Sequence, residues 1–197
     1  MANVNAPFGF RPIRRQDGAA WSGNLTQLKV ANGDTNALNR GDVVKQLATG
    51  YVTIIAAGVT DHSFRGVVQG CHYLSTVLGY NIWSNYWPGS GATGDVDLFV
   101  ADDPYLVFEV QGSTSTAIAF ADIGANGDVV VTASTTGFSK WALNQGTLAV
   151  TATFPFRIVA LGNNSRAIEN GYDTTTGFNI VEVVWNDFFL TQKTGLL

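Results

Sequence analysis

Two histidines, one cysteine and a set of closely spaced aspartates are the residues whose types could carry catalysis or metal binding. His62 and His72 are the side chains whose ordinary pKa lies near neutrality. A group-transfer site would need one of them within reach of a nucleophile and oriented by a third group. Neither stands in such a setting: the sequence has no G-x-S-x-G, no H-E-x-x-H and no phosphate-binding loop. Cys71 adjoins His72, but neighbours on a strand point to opposite faces, so the two make a poor dyad. As the single cysteine, Cys71 excludes an intrachain disulfide and a Cys-based zinc site, and it reads as a small buried apolar residue. Asp95, Asp97, Asp102 and Asp103 could offer oxygens to Ca²⁺, yet their spacing does not fit an EF-hand loop, and Asp102-Asp103-Pro104 reads as a turn opening a strand. No catalytic residue, metal site or cofactor is expected. Asp97 and Glu109 are the carboxylates that an unrecognised polysaccharide hydrolase would use.

Recognition chemistry is the next possibility. Trp83, Tyr86 and Trp87, with Asn81 and Asn85, combine flat aromatic faces with amides, as a sugar-binding site would; burial in a core or an interface is the commoner use of such rings and is the favoured reading. Arg40-Gly41-Asp42 spells an integrin-type tripeptide, but Gly-Asp-Val recurs at Gly41, Gly94 and Gly127, which makes it turn chemistry. Asn24-Leu25-Thr26 and Asn163-Asn164-Ser165 match a glycosylation acceptor that matters only on a secretory route. The start MANVNAPFGFRPIRR lacks a continuous apolar stretch, so no such route is expected.

The elements that would position these residues are strands. Twenty-two glycines divide 197 residues into short pieces, and Pro104 and Pro155 interrupt two of the longest, which argues against long helices. Period-2 alternation fills the pieces. Leu106, Phe108 and Val110 share a face opposite Glu109 and Gln111, and Leu148, Val150, Ala152 and Phe154 oppose Thr147, Thr151 and Thr153. Similar runs predict strands at 25–30, 42–47, 51–56, 64–69, 96–100, 128–133, 156–161 and 178–185, separated by turns at Asn32-Gly33-Asp34, Gly89-Ser90-Gly91, Asn126-Gly127-Asp128 and Asn170-Gly171. The expected fold is all-β, a β-sandwich or jelly-roll-like barrel. Its body spans 23–197 as a single domain or two small β lobes. Residues 1–22 lack clean alternation and read as an extended arm, whose Phe8, Phe10, Arg11, Arg14, Arg15 and Trp21 would anchor in a neighbour together with Tyr86 and Trp87 of the body.

Composition narrows the function. Hydrophobic residues at 46% exclude a disordered chain, and no apolar run reaches the roughly 20 residues of a membrane-spanning helix. Charged residues make up 13%, about half the usual ~25%, which suits a surface that lives within an assembly. The net charge of −4 gives no nucleic-acid footprint, although residues 1–65 carry +3 and the remainder −7. A basic head on an acidic body would let copies or partners dock by charge. No nucleic acid and no membrane are expected as partners.

The order of several words carries a resemblance. Gly66-Val67-Val68-Gln69-Gly70-Cys71-His72-Tyr73 is followed by Asn85-Tyr86-Trp87-Pro88-Gly89 and then by the run from Asp102-Asp103-Pro104 through Phe108-Glu109-Val110-Gln111. Asp122-Ile123-Gly124-Ala125-Asn126-Gly127-Asp128, Phe156-Arg157-Ile158 and an apolar strand with an aromatic tail from Val181 to Phe189 complete the series, and NAPFGFRPIRR matches the start. Over nearly the whole chain, most closely at 64–128, this resembles virion structural proteins of tailed bacteriophages described as head decoration, cement or capsid-stabilising proteins. It departs at Tyr73-Leu74-Ser75-Thr76-Val77-Leu78-Gly79, where a more polar turn is expected. The resemblance implies a non-enzymatic protein on the outer surface of the expanded capsid, made in the infected cell. It would bridge subunits of the major capsid protein, as a homotrimer with its arm laid over the shell. A head-fibre base, another minor virion protein and a carbohydrate-binding β-sandwich are the alternatives.

Overall fold

Alternating β-branched and aromatic residues bury one face of a strand and wet the other, and two such faces hide their apolar sides by packing together. The computed structural model, which describes residues 3–58, 63–162 and 176–191, is built this way. In chain order its strands are β1 (Arg11–Arg15), β2 (Thr26–Val30), β3 (Val43–Gln46), β4 (Val52–Ile54), β5 (Phe64–Leu74), β6 (Asn81–Ser84), β7 (Val96–Ala101) and β8 (Leu106–Gln111). They are followed by β9 (Asn126–Gly127), β10 (Val129–Val130), β11 (Ala142–Leu143), β12 (Phe156–Leu161) and β13 (Ile180–Trp185). All helical residues among those described lie in 3₁₀ turns of three residues, and none is long or apolar enough to cross a membrane.

One antiparallel sheet runs β1-β8-β13-β12-β9; the other runs β2-β7-β5-β3-β4, with β6 added beside the second half of β5, and β10-β11 form a small third sheet. The all-β sandwich is therefore present, and no barrel closes among the described residues. Phe64, Val67, Val43 and Ala101 of the larger sheet meet Leu106, Phe108, Val110, Phe156, Ile158 and Val183 of the other in the main core. A second core, with Leu38, Trp87, Val44, Val68, Cys71, Leu98 and Val100, fills the concave side of the larger sheet. That sheet curls until its two ends are clasped by side chains: Thr53 Oγ1 donates to Asp34 Oδ2 at 2.6 Å, and the Tyr51 hydroxyl donates to Asp95 Oδ2 at 3.0 Å.

Within the stretch 1–22 expected as an extended arm, residues 10–15 are instead built into this chain's own fold. Arg11–Arg15 form the edge strand β1 against β8, where Pro12 lacks only an N–H on a strand paired on one side. Phe10 is 1% exposed and begins a four-ring stack: Phe10 on Phe156 (4.2 Å between centroids), Phe156 on Trp185 (4.7 Å) and Trp185 on Phe188 (4.7 Å). Gly9 N donates to the Trp141 carbonyl and Phe10 N to the Gly41 carbonyl. Gly9 has φ +75°, and a Cβ there would lie 2.4 Å from Ser139 Cβ and 2.7 Å from the Gly41 carbonyl oxygen, so only glycine fits this backbone crossing.

Two other expectations fail locally. Residues 147–154 alternate but form no strand; Val150 is 96% exposed, and the sheet takes its next strand from Phe156 onward. Asn126-Gly127 is not a turn but the buried edge strand β9, paired with Phe156 and Arg157. Asn170-Gly171 and Asn163-Asn164-Ser165 lie outside the described residues.

Candidate functional site

The expected anchors divide into core and surface. Phe10 is core, and so is Trp87, 3% exposed with Tyr73 edge-on to its ring at 5.0 Å; neither can reach a partner while the fold holds. Trp21 is half-buried against the main core, and Tyr86 lies over Gly137, where a Cβ would come 2.7 Å from its ring. The three arginines of β1 are held by this chain's own carboxylates. Arg11 pairs with Glu109, Arg14 with Glu182 at 2.6 Å, and Arg15 with Asp103. Phe8 is half-buried, with the Arg11 guanidinium 5.4 Å from its ring centre.

Beside that ring lies a groove of about 350 Å³, bordered by Phe8, Phe10, Arg11, Arg40, Gln69 and Phe138. Phe138 is 58% exposed. Arg40 donates from Nε to Gln69 Oε1 at 3.3 Å and has no carboxylate partner among the described residues. Gln69 occupies a register shift between Val68 and Gly70. Such a bulge re-aims the side chain it carries; here that side chain separates the groove from a second one of about 400 Å³, bordered by Leu25, Gln69, Gly70, Trp83, Asn85 and Phe99. Trp83, with 71% of its surface open, is the exposed member of the aromatic cluster that the sequence singled out.

The residues considered for catalysis are engaged in the fold. His72 Nδ1 stands 3.4 Å from Asp97 Oδ2, and Asp97 also pairs with Lys29. Burial alone would raise the Asp97 carboxyl, but hydrogen bonds from Lys29, Gln27 and His72 outweigh it and hold the group below the usual carboxylate range. Asp95 accepts from the Asn32 N–H and Tyr51, Asp102 from Thr26 and Arg65, and Asp103 from Arg15 and the Tyr105 N–H. Among the described residues no three His, Cys, Asp or Glu side chains come together as a metal site. Cys71 is buried as expected, its thiol donating to the Tyr86 carbonyl at 3.0 Å, and burial pushes its pKa up to about 12. Asp42 of the Arg-Gly-Asp triplet is 1% exposed; burial raises its carboxyl, against hydrogen bonds from Ser139 and Asn39. Gly41, at φ +96°, and Asp42 are thus buried in a turn, and only Arg40 of the triplet faces outward. His62 lies outside the described residues.

No family model matches the chain, and no curated protein and no solved structure matches it.

Two surface rings that matter here, Phe138 and Phe99, were not singled out among the candidates, although one of them carried a signal. Phe138 sits in a Gly- and Ser-rich stretch without periodicity. Phe99 was legible, because Val96, Leu98 and Val100 alternate with Asp97 and Phe99 and so place that ring on the outer face.

Proposed function

We propose that this chain is a virion structural protein of a tailed bacteriophage. It binds the outer surface of the expanded head and stabilises it by bridging subunits of the major capsid protein, with no catalytic step. The observation that carries the reading is the groove between the amino-terminal segment and Phe138. It pairs exposed aromatic surface with the Arg40 guanidinium, on a body stiffened by two sheets. Aromatic and Arg side chains are the groups that anchor protein interfaces, and a planar guanidinium takes a carboxylate in a bidentate pair. A low content of charged residues, 13%, and the resemblance in word order support the same reading. Attachment as a trimer at local three-fold positions would add effective concentration to contacts that are individually modest.

Co-sedimentation with emptied heads stripped of the protein tests this. Saturable binding to expanded heads alone, weakened by Arg40→Glu and by Phe138→Asp, is the expected result. Absence of binding to either expanded or unexpanded heads overturns it.

A further inference from the structure

Beyond the edge of the five-stranded sheet, the convex face of the larger sheet is open, and a row of side chains crosses four of its strands. Lys29 lies opposite Asp97, Asp97 opposite His72, and His72 opposite Trp83. Neighbours in the row touch: Lys29 bonds Asp97, Asp97 faces His72 Nδ1, and the His72 ring lies 4.4 Å from that of Trp83. Two residues along β7, Phe99 lies opposite Gly70 and stacks on Trp83, 12° from parallel with centroids 5.4 Å apart. Trp83 is therefore seated on two rings and leaves 71% of its surface open. Without a side chain at Gly70, the groove beside the indole reaches the strand backbone.

The groove's chemistry is uniform in one respect: among the described residues no lining side chain carries a charge. Its polar groups are amides and a hydroxyl with capacity to spare. The Asn85 side chain makes no hydrogen bond among the described residues. Gln69 uses its carbonyl oxygen toward Arg40, and Ser84 Oγ accepts from the Tyr86 N–H, which leaves the Gln69 Nε2 donors and the Ser84 O–H for a ligand. A volume of about 400 Å³ suits a small ligand. A flat, electron-rich aromatic face attracts polarised C–H groups, amides bond hydroxyls, and the missing charge removes any preference for an ionic partner.

We propose that this groove is a binding site for a neutral saccharide, with a pyranose ring stacked on Trp83 and its hydroxyls bonded by Asn85, Gln69 and Ser84. The site is separate from the Arg40 groove and does not depend on the capsid reading.

Its test is an array of neutral and anionic oligosaccharides probed with the full chain, followed by calorimetry with the strongest neutral member. Binding of a neutral oligosaccharide, weakened about tenfold or more by Trp83→Ala and several-fold by Asn85→Ala, is expected. The same Trp83→Ala protein should keep the wild-type melting temperature, because the ring is mostly exposed. No neutral member binding, or neutral binding indifferent to Trp83→Ala, overturns the site. Loss of head co-sedimentation in Trp83→Ala without any saccharide binding also overturns it and assigns the surface to the shell protein. Saccharide binding by wild-type protein that ignores heads would instead remove the capsid reading alone.

Discussion

Phe10 lies face to face with Phe156, their centroids 4.2 Å apart and their planes 12° from parallel. This contact makes the amino-terminal segment part of the core, and truncating the ring opens a cavity against the face of Phe156 within the main core. Phe10→Ala is expected to cost about 3–5 kcal/mol, read as a lower urea midpoint at an unchanged slope.

The crossing of Gly9 over Gly41 and Ser139 separates steric from conformational cost. Gly18 also has positive φ, at +87°, but a Cβ there meets nothing within 4 Å. Gly18→Ala should cost about 1–2 kcal/mol from its backbone conformation alone, and Gly9→Ala clearly more. Thermal melts of the two variants make the comparison; equal shifts would remove the steric argument.

Arg65 and Asp102 form an ion pair whose side chains are 10% and 13% exposed, with Thr26 donating to the same carboxylate. Asp102→Ala leaves a buried guanidinium without its partner and is expected to cost about 3–5 kcal/mol. Glu109→Gln disturbs a pair whose arginine is 61% exposed and should cost no more than about 1 kcal/mol. Denaturant titrations of both variants check the contrast.

Cys71 ties stability to alkaline pH. Its folded pKa of about 12 stands above the ordinary 9.0, so the native state holds its proton where the unfolded chain releases it. The stabilisation is complete below pH 9 and is lost as pH rises from there toward 12. Cys71→Ala should flatten the fall in melting temperature over that interval. At neutral pH, iodoacetamide should label wild-type protein only after denaturation, as intact mass would report.

Strands were legible wherever one face is apolar and the ends carry turn residues, as in β2, β3, β7, β8, β12 and β13. β1 was not, because Arg11, Arg14 and Arg15 look like a solvated or partner-seeking tail until Glu109, Glu182 and Asp103 arrive from far along the chain. Alternation misled at 147–154, where only Ala149 is bridged, to Asn126 of the two-residue strand β9, and the ladder goes no further. Of the aromatic cluster, the sequence identified the rings but not their fates. Trp87 and Trp83 are four residues apart, yet one fills a core and the other faces water. The place of Trp83 follows from the hairpin of β6 on β5, whereas Trp87 is drawn into the core beside Leu38, whose backbone it bridges from far along the chain, a long-range choice that composition does not encode.

The four-ring stack joins residues near opposite ends of the sequence, Phe10 and Phe188. During synthesis the first ring must therefore wait until Phe156, its direct partner, is made, and the stack is complete only with Phe188. Such distant pairing makes folding slow relative to domains built from local contacts. The nascent chain keeps the β1 edge uncovered until β8 is made and Phe10 uncovered until Phe156 is, so this stretch is where a holding chaperone would act before release.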